Sequence, residues 1–289
     1  MGLYRLAATA ALCVYVLALA PAANAAARMR IVSLAPSVTE TLFALGAGPE
    51  VVGVSQYCDY PAEVRDLPRV GSFLTPNLEA IIALRPTLVV GLALASSVRQ
   101  IRALNSMGYP VLLVSDDSLH QIEASIETVG ARIDREPQAR QLVAQIQAQI
   151  AAVEQRLAKV KPERALMLVG HQPIVAVGAG TYLDELMRIA RADNIAANAG
   201  EQWPQLSMEY IIAMRPQVVL DGSMGNEPLP SSGFWERYPQ IPAVRDHRVF
   251  GYAQDPILHA GPRVGQSLEI IARMIHPEAW QNVSAGAEY

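Results

Sequence analysis

The chain has 289 residues, 51% of them hydrophobic, and 23 basic side chains stand against 27 acidic ones for a formal net charge of −4. There is no basic run or patch, which argues against a nucleic-acid partner and against binding to an anionic membrane surface. A chain of this length can bury a sizeable core, as one large domain or two small ones.

Residues 1–25 read as a targeting segment. Arg5 supplies a positive start, Leu6 to Ala20 an apolar stretch too short for a comfortable membrane span, and Ala23-Asn24-Ala25 a small-residue cleavage pattern. Cleavage after Ala25 predicts an exported, soluble chain that starts at Ala26; an uncleaved anchor is the alternative. Only Arg5 is lost among the charges, so the product carries −5. Cys13 goes with the segment and Cys58 remains alone, so no internal disulfide is expected although export would permit one. No later apolar run reaches span length, so no direct membrane insertion is expected.

Strand and helix signals then alternate. Residues 31–35 read as a strand. Ser37-Val-Thr-Glu40 is a capping-box pattern opening an amphipathic helix to Leu45, with Gly46 and Gly48 to end it. A strand at 51–55 leads into a loop from Tyr57 to Pro61. Asn77 caps a short helix carrying Glu79 at its second position, Pro86 stops it, and 88–92 is the next strand. Ser97 with Gln100 predicts a helix ending at Gly108, 111–115 a strand, and Ser118 with Gln121 a helix to about Ile133. Between Pro137 and Pro162 an apolar stripe of Leu142, Val143, Ile146, Ile150, Val153 and Leu157 recurs at helical spacing. Roughly 24 residues of helix would be about 36 Å long. It is read as a rigid connector between two halves rather than a helix packed on one of them.

The second half repeats the first. NLEAIIALRPTLVV at 77–90 registers on SMEYIIAMRPQVVL at 207–220, so that Glu79 falls on Glu209, Arg85 on Arg215 and Pro86 on Pro216. RIVSLAP at 30–36 matches RALMLVG at 164–170, and Thr181 to Asp184 opens a helix where Ser37 to Glu40 does in the first copy. Strands are expected at 165–169, 174–178, 218–222 and 248–252, a loop with one short helix at 223–243, and an amphipathic helix from Arg263 to Ile275. The tail from Pro277 is read as loosely ordered, with Trp280 as its one anchor. This predicts an α/β fold of two similar lobes with mainly parallel sheets joined by one long rigid helix. The parts are a signal segment at 1–25, lobes at 26–136 and 163–276, the connecting helix at 137–162 and the tail at 277–289.

The stretches RIVSLAPSVTETLFALGAG, VVGVSQYCDYP, NLEAIIALRPTLVV and WPQLSMEYIIAMRP together resemble the periplasmic binding proteins of iron-siderophore, haem and cobalamin ABC importers, and the cobalamin-binding members most closely. The resemblance covers about residues 29–276. It implies a ligand cleft between the lobes and a protein of the periplasm, a monomer whose partners are a corrinoid such as cobalamin and the permease subunits of an importer. It implies docking carboxylates at Glu79 and Glu209, one per lobe. For an acidic residue in a helix's first turn the bland reading is dipole stabilisation, about 0.3–1 kcal/mol. Tyr57 matches a ligand-contacting tyrosine of the cobalamin-binding members. Phe73 stands where they have a tryptophan, six residues before the docking glutamate, and Trp203 matches another ligand-facing tryptophan six residues before Glu209. Leu92 departs from a further aromatic position. Asp255 matches a contact aspartate, and His259 stands where the relatives have an arginine. For each aromatic taken alone, ordinary core packing is the favoured reading.

His171 and His259 are read as facing the cleft, and Cys58 as an exposed thiol beside Tyr57 that takes no part. No bare metal ion and no resident cofactor is expected, because a transition-metal site gathers three or four ligands and no histidine-rich loop is present. Haem, with Tyr57 or a cleft histidine as axial ligand, is the alternative cargo. A ferric siderophore comes third, for want of an arginine cluster. From another class, Cys58 with His171 or His259 is the one thiol–imidazole combination an enzyme could use; the chain is read as no enzyme.

Overall fold

The structure, a computed structural model, describes residues 29–222, 232–252 and 254–281. The targeting segment, the first part of the 223–243 loop and the end of the tail lie outside the described residues.

The first lobe strings together β1 (Ile31–Ser33), α1 (Pro36–Ala44), β2 (Val51–Val54), α2 (Leu78–Ala83), β3 (Leu88–Leu92), α3 (Val98–Ser106), β4 (Val111–Val114) and α4 (Leu119–Arg132). The connecting helix is α5 (Glu136–Leu157). The second lobe holds β5 (Glu163–His171), β6 (Ile174–Ala176), α6 (Tyr182–Ile189), β7 (Ala192–Asn194), α7 (Met208–Met214), β8 (Val218–Asp221), α8 (Pro242–Arg245), β9 (Val249–Gly251), α9 (Val264–Ile275) and the single turn α10 (Glu278–Gln281).

The first sheet is parallel throughout, in the order β2-β1-β3-β4. Its central strands β1 and β3 are buried on both faces, which is why they read as unbroken apolar runs rather than alternating ones. The second sheet has the order β6-β5-β8-β9, with β7 also on β5. Its one antiparallel neighbour is β6, folded back on the end of β5 through the Gln172-Pro173 turn, while β7 runs parallel along the start of β5. The hairpin and β7 depart from the expected simple alternation. β7 is only three residues, Ala-Asp-Asn, and carries no apolar signature of its own.

Caps explain where helices start. Asn77 accepts from Ala80 N at 3.1 Å and Ser207 from Tyr210 N at 3.2 Å, the same bond in both copies of the repeat. In both, the residue before proline, Arg85 or Arg215, has a positive φ of 46° or 50° and turns the chain from helix into strand. Ser118 accepts from Gln121 N at 3.2 Å while the Gln121 side chain accepts from Asp117 N, and Thr181 accepts from Asp184 N at 3.1 Å. Two expected caps do not form. Pro36 occupies the first turn of α1, so the helix starts before Ser37, whose side chain instead donates to Asp116 at 3.2 Å. Ser97 turns its hydroxyl back to Leu94 O and leaves α3 without a side-chain cap.

Helix α5 is 22 residues long, about 33 Å at 1.5 Å per residue, with Pro137 in its first turn. It buries Ala139, Val143, Ile146, Val153 and Leu157. It packs on α4 of the first lobe and α9 of the second, so it belongs to both. A glycine on each partner admits the close approach. A Cβ added at Gly130 of α4 would stand 2.5 Å from Ala139 Cβ, and one at Gly265 of α9 would stand 2.8 Å from Gln149 Cβ. The start of the tail is more ordered than expected: α10 brings Trp280 beneath the guanidinium groups of Arg156 and Arg273, 5.3 and 5.1 Å from its ring centroid. Among the described residues no helix is long and apolar enough to cross a membrane.

The glycine contact separates packing from propensity. In an exposed helix Gly→Ala would gain about 1 kcal/mol. Gly130→Ala is expected to lose about 1–3 kcal/mol instead, through overpacking against Ala139. Urea denaturation monitored by circular dichroism measures the sign.

Candidate functional site

Ligands of open α/β sheets bind beyond the carboxyl ends of parallel strands. At or just past those ends stand the Tyr57–Tyr60 loop after β2, Leu92 at the end of β3, Asp116 after β4, His171 closing β5, Asp221 closing β8, and Asp255 after β9.

The aromatic side belongs to the first lobe. Tyr57 is 43% exposed and meets Phe73 edge-on at a centroid distance of 5.6 Å. Trp203, 40% exposed, stands apart from that pair on a segment laid along β6, where Ala176 N donates to Pro204 O and Leu206 N to Ile174 O. Leu92 is half-buried. With Ser37, Thr41, Asp116, Ala260 and Gly261 it lines a cavity of about 10 Å³, room for one water at most.

The polar side is an ion cluster that joins the lobes. Glu40 of α1, 2% exposed, receives both arms of Arg263, Nε to Oε2 at 2.8 Å and Nη2 to Oε1 at 2.6 Å. His259 Nδ1 lies 2.8 Å from Glu40 Oε1, and Arg263 also bonds Asp255. The Tyr60 ring stacks on the same guanidinium at 3.8 Å. Burial would lower the Arg263 pKa, but the hydrogen bonds from Glu40 and Asp255 outweigh it and raise it above the ordinary arginine value. Glu40, Asp255 and His259 could together offer a metal three ligand atoms within 4.8 Å of one another, but Arg263 already engages both carboxylates and supplies the positive charge.

Glu40, Tyr60 and Arg263 are site residues that the sequence reading missed. The spacing of Glu40 reads as the second half of a capping box, whereas in the structure every residue of α1 from Ser37 to Leu42 is buried, Glu40 among them.

A second buried carboxylate, Asp221, lies 2.8 Å from His171 Nε2, off the best hydrogen-bonding direction, and accepts from Trp235 Nε1 at 2.6 Å. Burial pushes its pKa up against the opposing pull of Trp235 and His171. His171 Nδ1 is buried with no partner among the described residues, and Phe234 meets the ring edge-on at 5.7 Å.

The expectation of an exposed thiol at Cys58 is corrected. The side chain is 2% exposed, turned inward between Thr39 Oγ1 at 3.1 Å and Ser55 Oγ at 3.2 Å. Burial raises its pKa, which keeps it protonated and unreactive. Neither histidine is recorded in contact with it, so the thiol–imidazole combination has no geometric support.

Glu79 and Glu209 are both exposed, each at the second position of its helix, and the ten residues from Ile81 and from Ile211 have the same sequence of burial states. Hydrogen bonds from its own backbone and from Ser207 hold the Glu209 carboxyl below its usual range, so it is ionised. Both helices lead through the Arg-Pro turn into the start of a strand.

Comparisons with known proteins agree with this geometry. The family model described as periplasmic binding protein matches residues 31–256. The chain is 28% identical over 272 residues to the vitamin B12-binding protein of Yersinia pestis (strain Pestoides F), covering 94% of this chain and 96% of that one. Among solved structures it is similar to the periplasmic haem-binding protein RhuT from Roseiflexus sp. RS-1, with a TM-score of 0.79, 30% identity and coverage of 87% and 99%. It is also similar to the haem-binding protein HutB of Vibrio cholerae, with a TM-score of 0.76, 26% identity and coverage of 86% and 100%.

Asp116 supplies a test of this interface. Burial is the main reason its pKa rises from 3.8 to about 6, with Ser37 pulling it down and Asp117 pushing it up. The folded protein therefore keeps a proton that the unfolded chain has lost between these values, and stability should fall as pH rises through that window, by roughly 3 kcal/mol at most. In Asp116→Asn the fall should vanish. Urea midpoints measured from pH 4 to 7 on both proteins test this.

Proposed function

The chain belongs to the periplasmic binding protein family, and on that premise we propose that it captures a corrinoid such as cobalamin and delivers it to an ABC importer. The observation that carries the reading is the duplicated unit, an exposed glutamate in the first turn of a capped helix on each lobe. One receptor with two such carboxylates is suited to a permease built of two like subunits. A guanidinium can meet each bidentately, which makes a strong, oriented contact out of a group that adds little to the fold. The vitamin B12-binding relative supports the cargo, as do the exposed aromatic edges of Tyr57 and Phe73, with Trp203 as a further wall and Asp255 and His259 as polar contacts. A corrin ring is broad and largely apolar, and apolar, aromatic walls with a few polar groups suit such a ligand. Residues 1–25 would direct export and be removed, and the mature chain would work as a monomer in the periplasm.

Glu79→Ala with Glu209→Ala is expected to leave ligand affinity and thermal stability unchanged. Transport and association with the importer should fall sharply, more in the double variant than in either single one. Uptake assays in cells, paired with calorimetry on the purified protein, separate the two effects. Loss of ligand binding with normal docking would place these residues on the wrong surface.

Haem is the second reading, favoured by one observation: among the described residues His171 has a ring nitrogen without a partner and a carboxylate behind it, the arrangement that orients a histidine toward a metal. Titration with cyanocobalamin and with hemin discriminates. The corrinoid reading expects tighter binding of cyanocobalamin. The haem reading expects tighter binding of hemin, with an absorption spectrum that shifts in His171→Ala.

A further inference from the structure

We infer that Glu40 is the positioning residue of the cleft: a carboxylate from the first lobe that fixes the cleft side chains of the second, and with them the angle between the lobes. The inference deepens the proposed function and rests on it for the ligand.

The contacts are one-sided in a telling way. Among the described residues Glu40 is the one first-lobe carboxylate in the ion cluster, and its charged partners come from the segment between β9 and α9. Arg263 is held in a fork by Glu40, and the fork sets where its free face lies. Tyr60 stacks on that face. His259 points its Nδ1 at the same carboxylate, so its other ring nitrogen is aimed by Glu40 as well. Asp255, partly exposed, is tied in through Arg263. Two of the polar groups that the proposed cleft would offer a ligand, Asp255 and His259, thus take their orientation from a residue that no ligand reaches.

Stability alone is a poor account of this arrangement. Burying an ion pair costs several kcal/mol per ion in desolvation, and apolar side chains of similar volume commonly serve the fold as well or better. What a forked, charge-assisted pair supplies is a defined geometry. The neighbourhood is built for the same end. A Cβ added at Gly261 would lie 3.2 Å from Ser37 Cα, so the lobes touch backbone to backbone beside the pair and leave it no slack. A second bond between the lobes, Leu119 N to Glu185 Oε2 at 2.9 Å, is anchored on a different helix and does not reach the cleft side chains.

The test reads the lobes directly. Spin labels at Arg99→Cys on α3 and Arg188→Cys on α6, both exposed, in a Cys58→Ser background report the distance between the lobes in ligand-free protein. Glu40→Gln and Arg263→Lys are the variants, each conserving size. Both are expected to broaden or shift the distance distribution, and Glu40→Gln to weaken cyanocobalamin binding ten-fold or more although Glu40 touches no ligand. The two substitutions together should weaken binding less than the product of their separate effects. A distribution unchanged in both folded variants overturns the inference, whatever happens to the melting temperature. If one variant fails to fold, the other decides. A broadened distribution in a protein that binds neither cyanocobalamin nor hemin upholds the tie and rejects the ligand reading instead.

Discussion

A carboxylate that is 2% exposed is costly to bury without hydrogen-bond partners, and among the described residues Glu40 finds them across the gap between the lobes. That single requirement explains much of the cleft. It brings the segment after β9 up against α1, it sets Arg263 beneath Tyr60, and it holds His259 and Asp255 in one small volume. Three ligand-type groups converge there. Their charge is already answered by a guanidinium.

Around this contact the two lobes are the same idea carried out with different materials. Each has a capped helix with an exposed glutamate, an Arg-Pro reversal and a buried parallel strand. The first lobe adds an aromatic edge from Tyr57 and Phe73. The second adds buried polar groups, with Asp221 between His171 and Trp235. A broad ligand lying between them would meet apolar surface from one side and hydrogen-bonding groups from the other, which fixes its orientation as well as its position.

Much of the fold was legible because it is local. The caps at Asn77, Ser118, Thr181 and Ser207, and the periodic stripe of α5, are each written within a few residues. What could not be read depends on contacts distant in sequence. Glu40 has the spacing of a capping box, and only Arg263, 223 residues away, shows what it is for. Cys58 looked exposed because it follows Tyr57 in a loop, yet Thr39 and Ser55 hold it inside. Strand β7 escaped because three polar and small residues pair there only through the presence of β5. Of the candidate site, Glu79, Glu209, Tyr57 and Phe73 lie on local features that a sequence can display, whereas the partners on the polar side meet only through the fold.

The connecting helix is flanked by α4, which precedes it, and by α9, which is nearly the last element of the chain. The first lobe and one flank of α5 can therefore form while the rest is still being made, but the flank around Gln149 stays bare until α9 and the Trp280 clasp arrive. For that interval the molecule carries an amphipathic helix with an uncovered side, the kind of surface on which partly made chains associate wrongly. The order of the chain thus assigns its ending a task in assembly: α9 and Trp280 complete the joint on which the second lobe hangs.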